Sequence, residues 1–478
     1  MSSKAVSADS VRRWTDSLAR DPVHSTALMV SQDALAFANM ANVSTTLSRR
    51  IPRVFAYTSV RKAEPSKNSE QYQQSSGRCW IFATLNVIRE LMMREYQLAD
   101  SFNLSHSFVQ FYHRIEQCNA VLEHVYDMRQ RGVTVDGAEF ALYVSMGMVA
   151  DGGSWPTACA ILEKYGICPM DVYPSNNQAN NTRDMSSVLE DIVLTAAYKV
   201  MTSANGRKAF AAVKQEALQA VHRVLCVMLG TPPARFDWAY YVSGPSASAS
   251  KRMKKKQPNA VDAEAKEIAR LTPEEFYRRV VRRVYDPTDF VMLKCDERHP
   301  FGRWHELQYG QVVLADSDTA QNTRAFNASM DVLKRAAADS IRRMIPAYFA
   351  CDVGKASSTR IGVLDPDVRS VDRLLGVDLD TQTRAQQLDA RTMSATHAMV
   401  LAGYQPSRDR VASRWQVVNS WEKAPEFVMS DAWFEAYVML LVVPKSSLLA
   451  AAGLKKLPPA DPAQTLVTPF WDVFGNHQ

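Results

Sequence analysis

The stretch Gln73-Gln74-Ser75-Ser76-Gly77-Arg78-Cys79-Trp80 constrains this chain more than any other. Ser-Ser-Gly breaks the backbone just ahead of a Cys-Trp pair. Beyond that pair Ile81, Leu85, Ile88 and Met92 recur at helical spacing. The pattern places Cys79 at the N-terminus of an amphipathic helix. The positive end of the helix dipole there favours thiolate over thiol. A neighbouring histidine would complete a thiolate–imidazolium pair, the usual way to activate a cysteine nucleophile. Gln73 can set its side-chain amide, together with the backbone N–H of Cys79, around a developing oxyanion. A single cysteine more often belongs to a core. The joint spacing of Gln, Gly, Cys and Trp points instead to chemistry.

Such a nucleophile needs a base and a group that orients the base. Thr396-His397-Ala398-Met399-Val400-Leu401-Ala402-Gly403-Tyr404 reads as an apolar strand with one histidine near its start. Arg414-Trp415-Gln416-Val417-Val418-Asn419-Ser420-Trp421 reads as a second strand. Paired antiparallel, they bring the Asn419 amide to the imidazole N–H and hold the ring in the tautomer that faces Cys79. Trp421 would shield that bond from water. His106 and His113 lie near another predicted helix, capped by Ser105 and striped with Phe108, Phe111, Tyr112 and Ile115, and read as structural. Asp151-Gly152-Gly153-Ser154-Trp155 is a turn that only glycine serves easily.

Gln73, Gly77, Cys79 and Trp80 together resemble the nucleophile motif of papain-like cysteine peptidases. The full run Gln73 to Ala83 resembles the bleomycin hydrolase, or aminopeptidase C, branch. Thr396 to Met399 and Asn419 to Trp421 are similar to that family's His and Asn blocks, in the same order. Further similar blocks are Asp151 to Trp155, Glu163 to Gly166, Leu229 to Pro233, Leu271 to Tyr277, Cys351 to Lys355 and the closing Trp471-Asp472-x-x-Gly475.

The resemblance implies an α+β fold, a papain-like two-lobed core with a large helical insertion and a C-terminal tail in the cleft. The insertion also follows from spacing, because His397 lies far beyond the roughly 130–150 residues at which minimal papain-like enzymes place theirs. Its helical patterns are Val188–Lys199, Ala209–Met228, Pro273–Tyr285 and Met330–Arg343. The implied division is a wrapping segment at 1–67, a helical lobe with the nucleophile at 68–184, a mainly helical insertion at 185–390, a sheet lobe with His and Asn at 391–450, and an arm at 451–478.

The implied activity is hydrolysis of peptide amide bonds from the free N-terminus through a Cys–His–Asn acyl-enzyme. Cys79, His397, Asn419 and Gln73 would be catalytic. Gly152 and Gly153 would line the cleft, where an extended peptide can pair as an added strand. The Gln478 carboxylate would face the substrate's α-amino group and block longer chains. No cofactor or metal is needed, and the implied assembly is a barrel-like homohexamer. The chain departs from the family pattern after Asn419: Glu422 replaces a glycine, and the loop to Met429-Ser-Asp-Ala-Trp-Phe434 is short and lacks Gly-Tyr.

At 478 residues the chain can form two or three domain-sized units, and 46% hydrophobic with 22% charged residues is ordinary for a globular protein. The seven cysteines are scattered and form no Cys-x-x-Cys pair. That argues against a disulfide framework or a zinc site and for a reducing compartment. The first residues are polar and mixed in charge, and no run approaches the roughly 20 apolar residues of a membrane span. These features lead us to expect a cytoplasmic protein without membrane contact. Net charge +6 is mild. Lys251, Arg252, Lys254, Lys255 and Lys256, inside a Ser/Pro/Ala-flanked bridge at 243–263, suit a weak nucleic-acid contact. The rival from another class is a nucleic-acid-binding or scaffold protein on a peptidase fold.

Overall fold

A computed structural model describes residues 6–47, 57–60, 72–242, 264–307, 324–379, 382–469 and 472–474, positions 21, 146, 148 and 462 excepted. The Lys-rich run at 251–256 and Gln478 lie outside the described residues.

The nucleophile helix runs Cys79–Tyr96, and its predicted stripe of Ile81, Leu85, Ile88 and Met92 is buried. Arg78 holds its cap position without a capping hydrogen bond, so the first helical N–H groups are left for other partners. The helix His106–Gln130 follows, with the Ser105 hydroxyl accepting the Phe108 N–H at 3.1 Å. The predicted helical patterns at 188–199 and 209–228 fall within Arg183–Thr202 and Gly206–Leu229. Both pack on His106–Gln130 around a core of their own that includes Phe111, Leu122, Val193, Val221 and Leu225. The pattern at 273–285 gives a shorter helix, Pro273–Arg279, which passes into a 3-10 turn at Val281–Arg283. Its start is a reciprocal cap: Thr272 Oγ1 accepts the Glu275 N–H at 3.1 Å, and Glu275 Oε2 accepts the Thr272 N–H at 2.8 Å.

A sheet of twelve strands, counted among the described residues, organises the other half. Its path runs Leu466–Thr468, Arg303–Leu307, Arg324–Asn327, Phe290–Lys294, Val438–Pro444, Ala347–Cys351, His397–Pro406, Ala412–Trp421, Ala424–Ser430, Val363–Leu364 and Ser357–Ser358, with Thr58–Ser59 pairing off-path to His397–Pro406. The stretch 185–390 carries strands as well as its helices. It contains a hairpin, Phe236–Val242 with Glu264–Leu271, and four strands that enter the large sheet before Cys351. Short apolar runs such as Val291-Met292-Leu293 have no periodicity that separates a buried strand from a buried helix.

The central strands Ala347–Cys351 and Val438–Pro444 are buried along their whole lengths. The nucleophile helix packs against Ala347–Cys351, His397–Pro406 and Ala412–Trp421. That contact brings the N-terminus of one element to the first residue of another. Segments on either side of the two lobes reach the same sheet: Thr58 and Ser59 pair with Tyr404 and Gly403, and Leu466–Thr468 runs parallel to Arg303–Leu307. All seven cysteines are free thiols. Among the described residues no helix is long and apolar enough to cross a membrane.

Candidate active site

His397 opens its strand and Asn419 lies near the end of the antiparallel neighbour, in the arrangement their order suggested. His397 Nε2 and Asn419 Oδ1 are 2.7 Å apart. A carboxamide oxygen only accepts, so Nε2 carries the proton and Nδ1 keeps its lone pair. The amide itself is oriented by Asn419 Nδ2, which donates to the Ala424 carbonyl at 2.8 Å. Trp421 stacks on the imidazole at 4.3 Å between centroids and 26° between planes. The departure after Asn419 now has a shape. Trp421 pairs with Ala424, leaving Glu422 and Lys423 as a tight turn, and Glu422 Oε2 accepts from Gln74 Nε2 at 3.3 Å.

The nucleophile loop is tied to the same strand. Gln73 N–H donates to the Ser420 carbonyl at 2.9 Å, and the Ser420 hydroxyl donates to Gln73 Oε1 at 2.6 Å. Gln73 Nε2 donates to the Ser76 carbonyl at 2.5 Å. An amide nitrogen carries two protons, so one remains for another acceptor. Ser76 Oγ donates back to the Gln73 carbonyl and receives Arg78 Nε at 2.9 Å. The buried Arg78 guanidinium also donates to Gln110 and Asn180 at 3.2 and 2.8 Å. Ser420 and Arg78 stood inside the quoted motifs, but their supporting work depends on contacts that spacing does not reveal.

Cys79 is the first residue of its helix. Burial pushes its thiol up to about 11, against the backbone N–H groups of Ala398, Trp80 and Cys79 that lower it. Burial likewise lowers His397 to about 4, against the Asn419 bond that raises it. Burial thus opposes the charged form of both groups, while the helix dipole and the N–H groups favour the thiolate of the pair that the helix end suggested.

Gly152 and Gly153 lie beside the nucleophile helix. The Trp80 indole N–H donates to the Asp151 carbonyl at 3.0 Å. A side-chain carbon at Gly153 would come within 2.5 Å of the Trp80 ring, so only glycine allows this approach. His106 and His113 take structural places: His106 stacks on Phe82 at 3.8 Å, and His113 meets the edge of Trp80 at 4.8 Å. The structure thus joins Cys79, His397, Asn419 and Gln73 through one strand and one loop. A thiol, an imidazole with a free lone pair and a carboxamide with a spare N–H are the parts of acyl transfer.

The model of the Peptidase C1-like family matches residues 5–475. The chain belongs to that family. Within it, the chain is 31% identical over 411 residues to an aminopeptidase C from Listeria innocua serovar 6a, covering 84% of this chain and 85% of the relative. It is 28% identical over 440 residues to a bleomycin hydrolase from Homo sapiens, covering 89% of each. A crystal structure of PepW from Lactobacillus rhamnosis HN001 superposes with a TM-score of 0.77 over 99% of this chain and 100% of that one. At 24% identity this likeness speaks for the fold alone. This Peptidase C1-like chain is a papain-like cysteine peptidase of the aminopeptidase C and bleomycin hydrolase type.

Proposed function

We propose that the chain is a cysteine aminopeptidase in which Cys79, His397, Asn419 and Gln73 perform the chemistry. The Cys79 thiol gives its proton to His397 Nδ1 as sulfur attacks the substrate carbonyl. The oxyanion takes hydrogen bonds from the spare Gln73 N–H and the Cys79 backbone N–H. Imidazolium then protonates the leaving amine, which departs, and an acyl-enzyme remains. Water, deprotonated by His397, hydrolyses the thioester and returns the thiol. The observation that carries this reading is the 2.7 Å bond from His397 Nε2 to Asn419, which leaves Nδ1 as the only basic nitrogen.

Gly152 and Gly153 offer backbone for the peptide to pair with, and the Gln478 carboxylate receives its ammonium group. The docking of the arm as far as Phe474, which is fully buried, supports that position. The chain assembles as a homohexamer. Val11, Trp14 and Leu18 support this reading, standing exposed as one stripe of the helix Ala8–Arg20. The five-part division of the chain, a cytoplasmic location and a weak nucleic-acid contact through Lys251 to Lys256 complete the reading.

A thiol-directed irreversible inhibitor is the test. We expect one equivalent of label per chain, none on Cys79→Ala, and hydrolysis of aminoacyl amides but not of their N-acetylated forms. Turnover by Cys79→Ala, or equal cleavage of blocked and free substrates, would overturn it.

A further inference from the structure

We propose that Asp151 is a positioning residue that fixes the distance between the nucleophile and the backbone on which substrate lies. The inference rests on the peptidase reading above. Asp151 stands immediately before Gly152 and Gly153, and its contacts converge from four directions. Its Oδ2 accepts the Gly77 N–H at 3.0 Å, two residues ahead of the nucleophile. The same oxygen accepts the Thr182 hydroxyl, at the start of the helix Arg183–Thr202. Its Oδ1 accepts from Arg114, a guanidinium with no solvent exposure on the helix His106–Gln130. Its main-chain carbonyl accepts the Trp80 indole N–H at 3.0 Å.

Two of these partners, Gly77 and Trp80, flank Cys79. Gly153 lies against that same Trp80 ring. One residue therefore grips the nucleophile loop with its carboxylate and the first turn of the nucleophile helix with its carbonyl. Through the two peptide bonds that follow, it also places the glycine backbone. Arg114 is anchored in turn by the Ala150 carbonyl at 2.6 Å and Ser186 Oγ at 2.8 Å, so the carboxylate is backed by two helices. A carboxylate accepts with both oxygens and so takes these three donors at once, whereas a carboxamide accepts with one oxygen and donates with its nitrogen. Displacements of about 1 Å between bound substrate and nucleophile cost about 100-fold in rate.

Asp151→Asn keeps the shape but turns an NH2 toward Arg114, or toward Gly77 and Thr182, donor against donor. Gly77→Ala attacks the same contact from the other side, since its new carbon would sit 2.6 Å from Asp151 Cβ. Each variant is first titrated with a thiol reagent, so that rates are expressed per competent site. A wild-type protein that takes no label would sink the peptidase reading, whatever Asp151 does. For both variants we expect kcat/KM on aminoacyl and dipeptidyl amides to fall roughly 10- to 100-fold per titrated site. Alkylation of Cys79 by iodoacetamide, which does not use the glycine backbone, should stay within about threefold. Thr182→Val should give a smaller loss of the same kind, and Thr182→Ser should restore wild-type rates. If peptide turnover per titrated site is unchanged in all of these, or if it falls by the same factor as iodoacetamide alkylation, Asp151 is only a stabilising ion pair and the proposal fails. If Asp151→Asn does not fold, the Gly77→Ala and Thr182 pairs decide.

Discussion

At the scale of single residues the site sets a thiol at a helix start near an imidazole whose Nε2–H is committed to Asn419. His397 is the base, and its proton affinity sets the acid limit of the reaction. We expect kcat/KM to fall as pH drops through about 4, where the buried imidazole takes its second proton. A limb centred above 6 would show that the ring is not held neutral by burial. Asn419 orients that ring and does not exchange protons itself. Replacing His397 by Ala should therefore cost roughly 100- to 10,000-fold in kcat, and replacing Asn419 by Ala roughly 10- to 100-fold. Equal losses at equal stability would give Asn419 another role. The Cys block was legible in the sequence because its residues are neighbours. The upward push on the thiol's proton affinity was not, because it depends on how the strand His397–Pro406 and the nucleophile helix pack around the sulfur.

At the scale of elements, the decisive contact is one strand end against one helix start, and the C-terminal arm is held by a second device of the same economy. Strand Phe290–Lys294 leads into Asp296 and Arg298. Arg298 forks onto Asp472 at 3.0 and 3.2 Å and onto both Asp296 oxygens at 2.8 and 3.0 Å. Lys294 and Arg298 lie over the Phe474 ring at 4.5 and 5.9 Å. Arg298→Ala leaves Asp296 and Asp472 without their main cation, a loss of about 3 kcal/mol for a mostly buried pair. The arm should then leave its seat. If its last residues form the exopeptidase limit, the ratio of N-acetylated to free-amine cleavage rises in Arg298→Ala and, to a smaller degree, in Asp472→Asn. Paired fluorogenic amides measure that ratio, and an unchanged value would separate the clasp from specificity. The Trp-Asp-x-x-Gly tail was visible as a motif. Its partners were not, because Asp296 and Arg298 sit in a segment with no motif of its own.

At the scale of the whole molecule, four histidines are buried among the described residues: His106, His113, His305 and His397. Burial lowers His106 well below its usual value, His113 and His305 to about 3, and His397 to about 4. The unfolded chain takes up protons near 6.5 and the folded chain does not, so the unfolded state binds more protons between those values. Stability contributed by these groups is fully present above about 6.5 and is lost as pH falls toward 3 to 4. On the order of 2–3 kcal/mol for each of His113, His305 and His397 should be gone by pH 4.5. Urea midpoints at pH 7, 5.5 and 4.5 test this. His113→Phe, which keeps an aromatic edge beside Trp80, should flatten the acid side. An acid side equally steep in that variant would move the effect to other groups.

Local pattern alone determined the nucleophile helix, its buried stripe, the Ser105 cap, the two strands that hold His397 and Asn419, and the order of the reacting groups. Each of these is written in neighbours or in a short period, which a chain displays without folding. Tertiary structure decided the rest. The strands between Phe290 and Cys351 are too short to declare themselves: Phe290–Lys294 and Ala347–Cys351 become strands when paired with Val438–Pro444 and His397–Pro406, and Arg303–Leu307 and Arg324–Asn327 when paired with each other and their sheet neighbours. The Ser420–Gln73 bond and the Asp151 junction join residues far apart in the chain, where spacing carries no information. The proton affinities of Cys79 and His397 follow from excluded water, a property of the packed interior that no stretch of sequence possesses by itself.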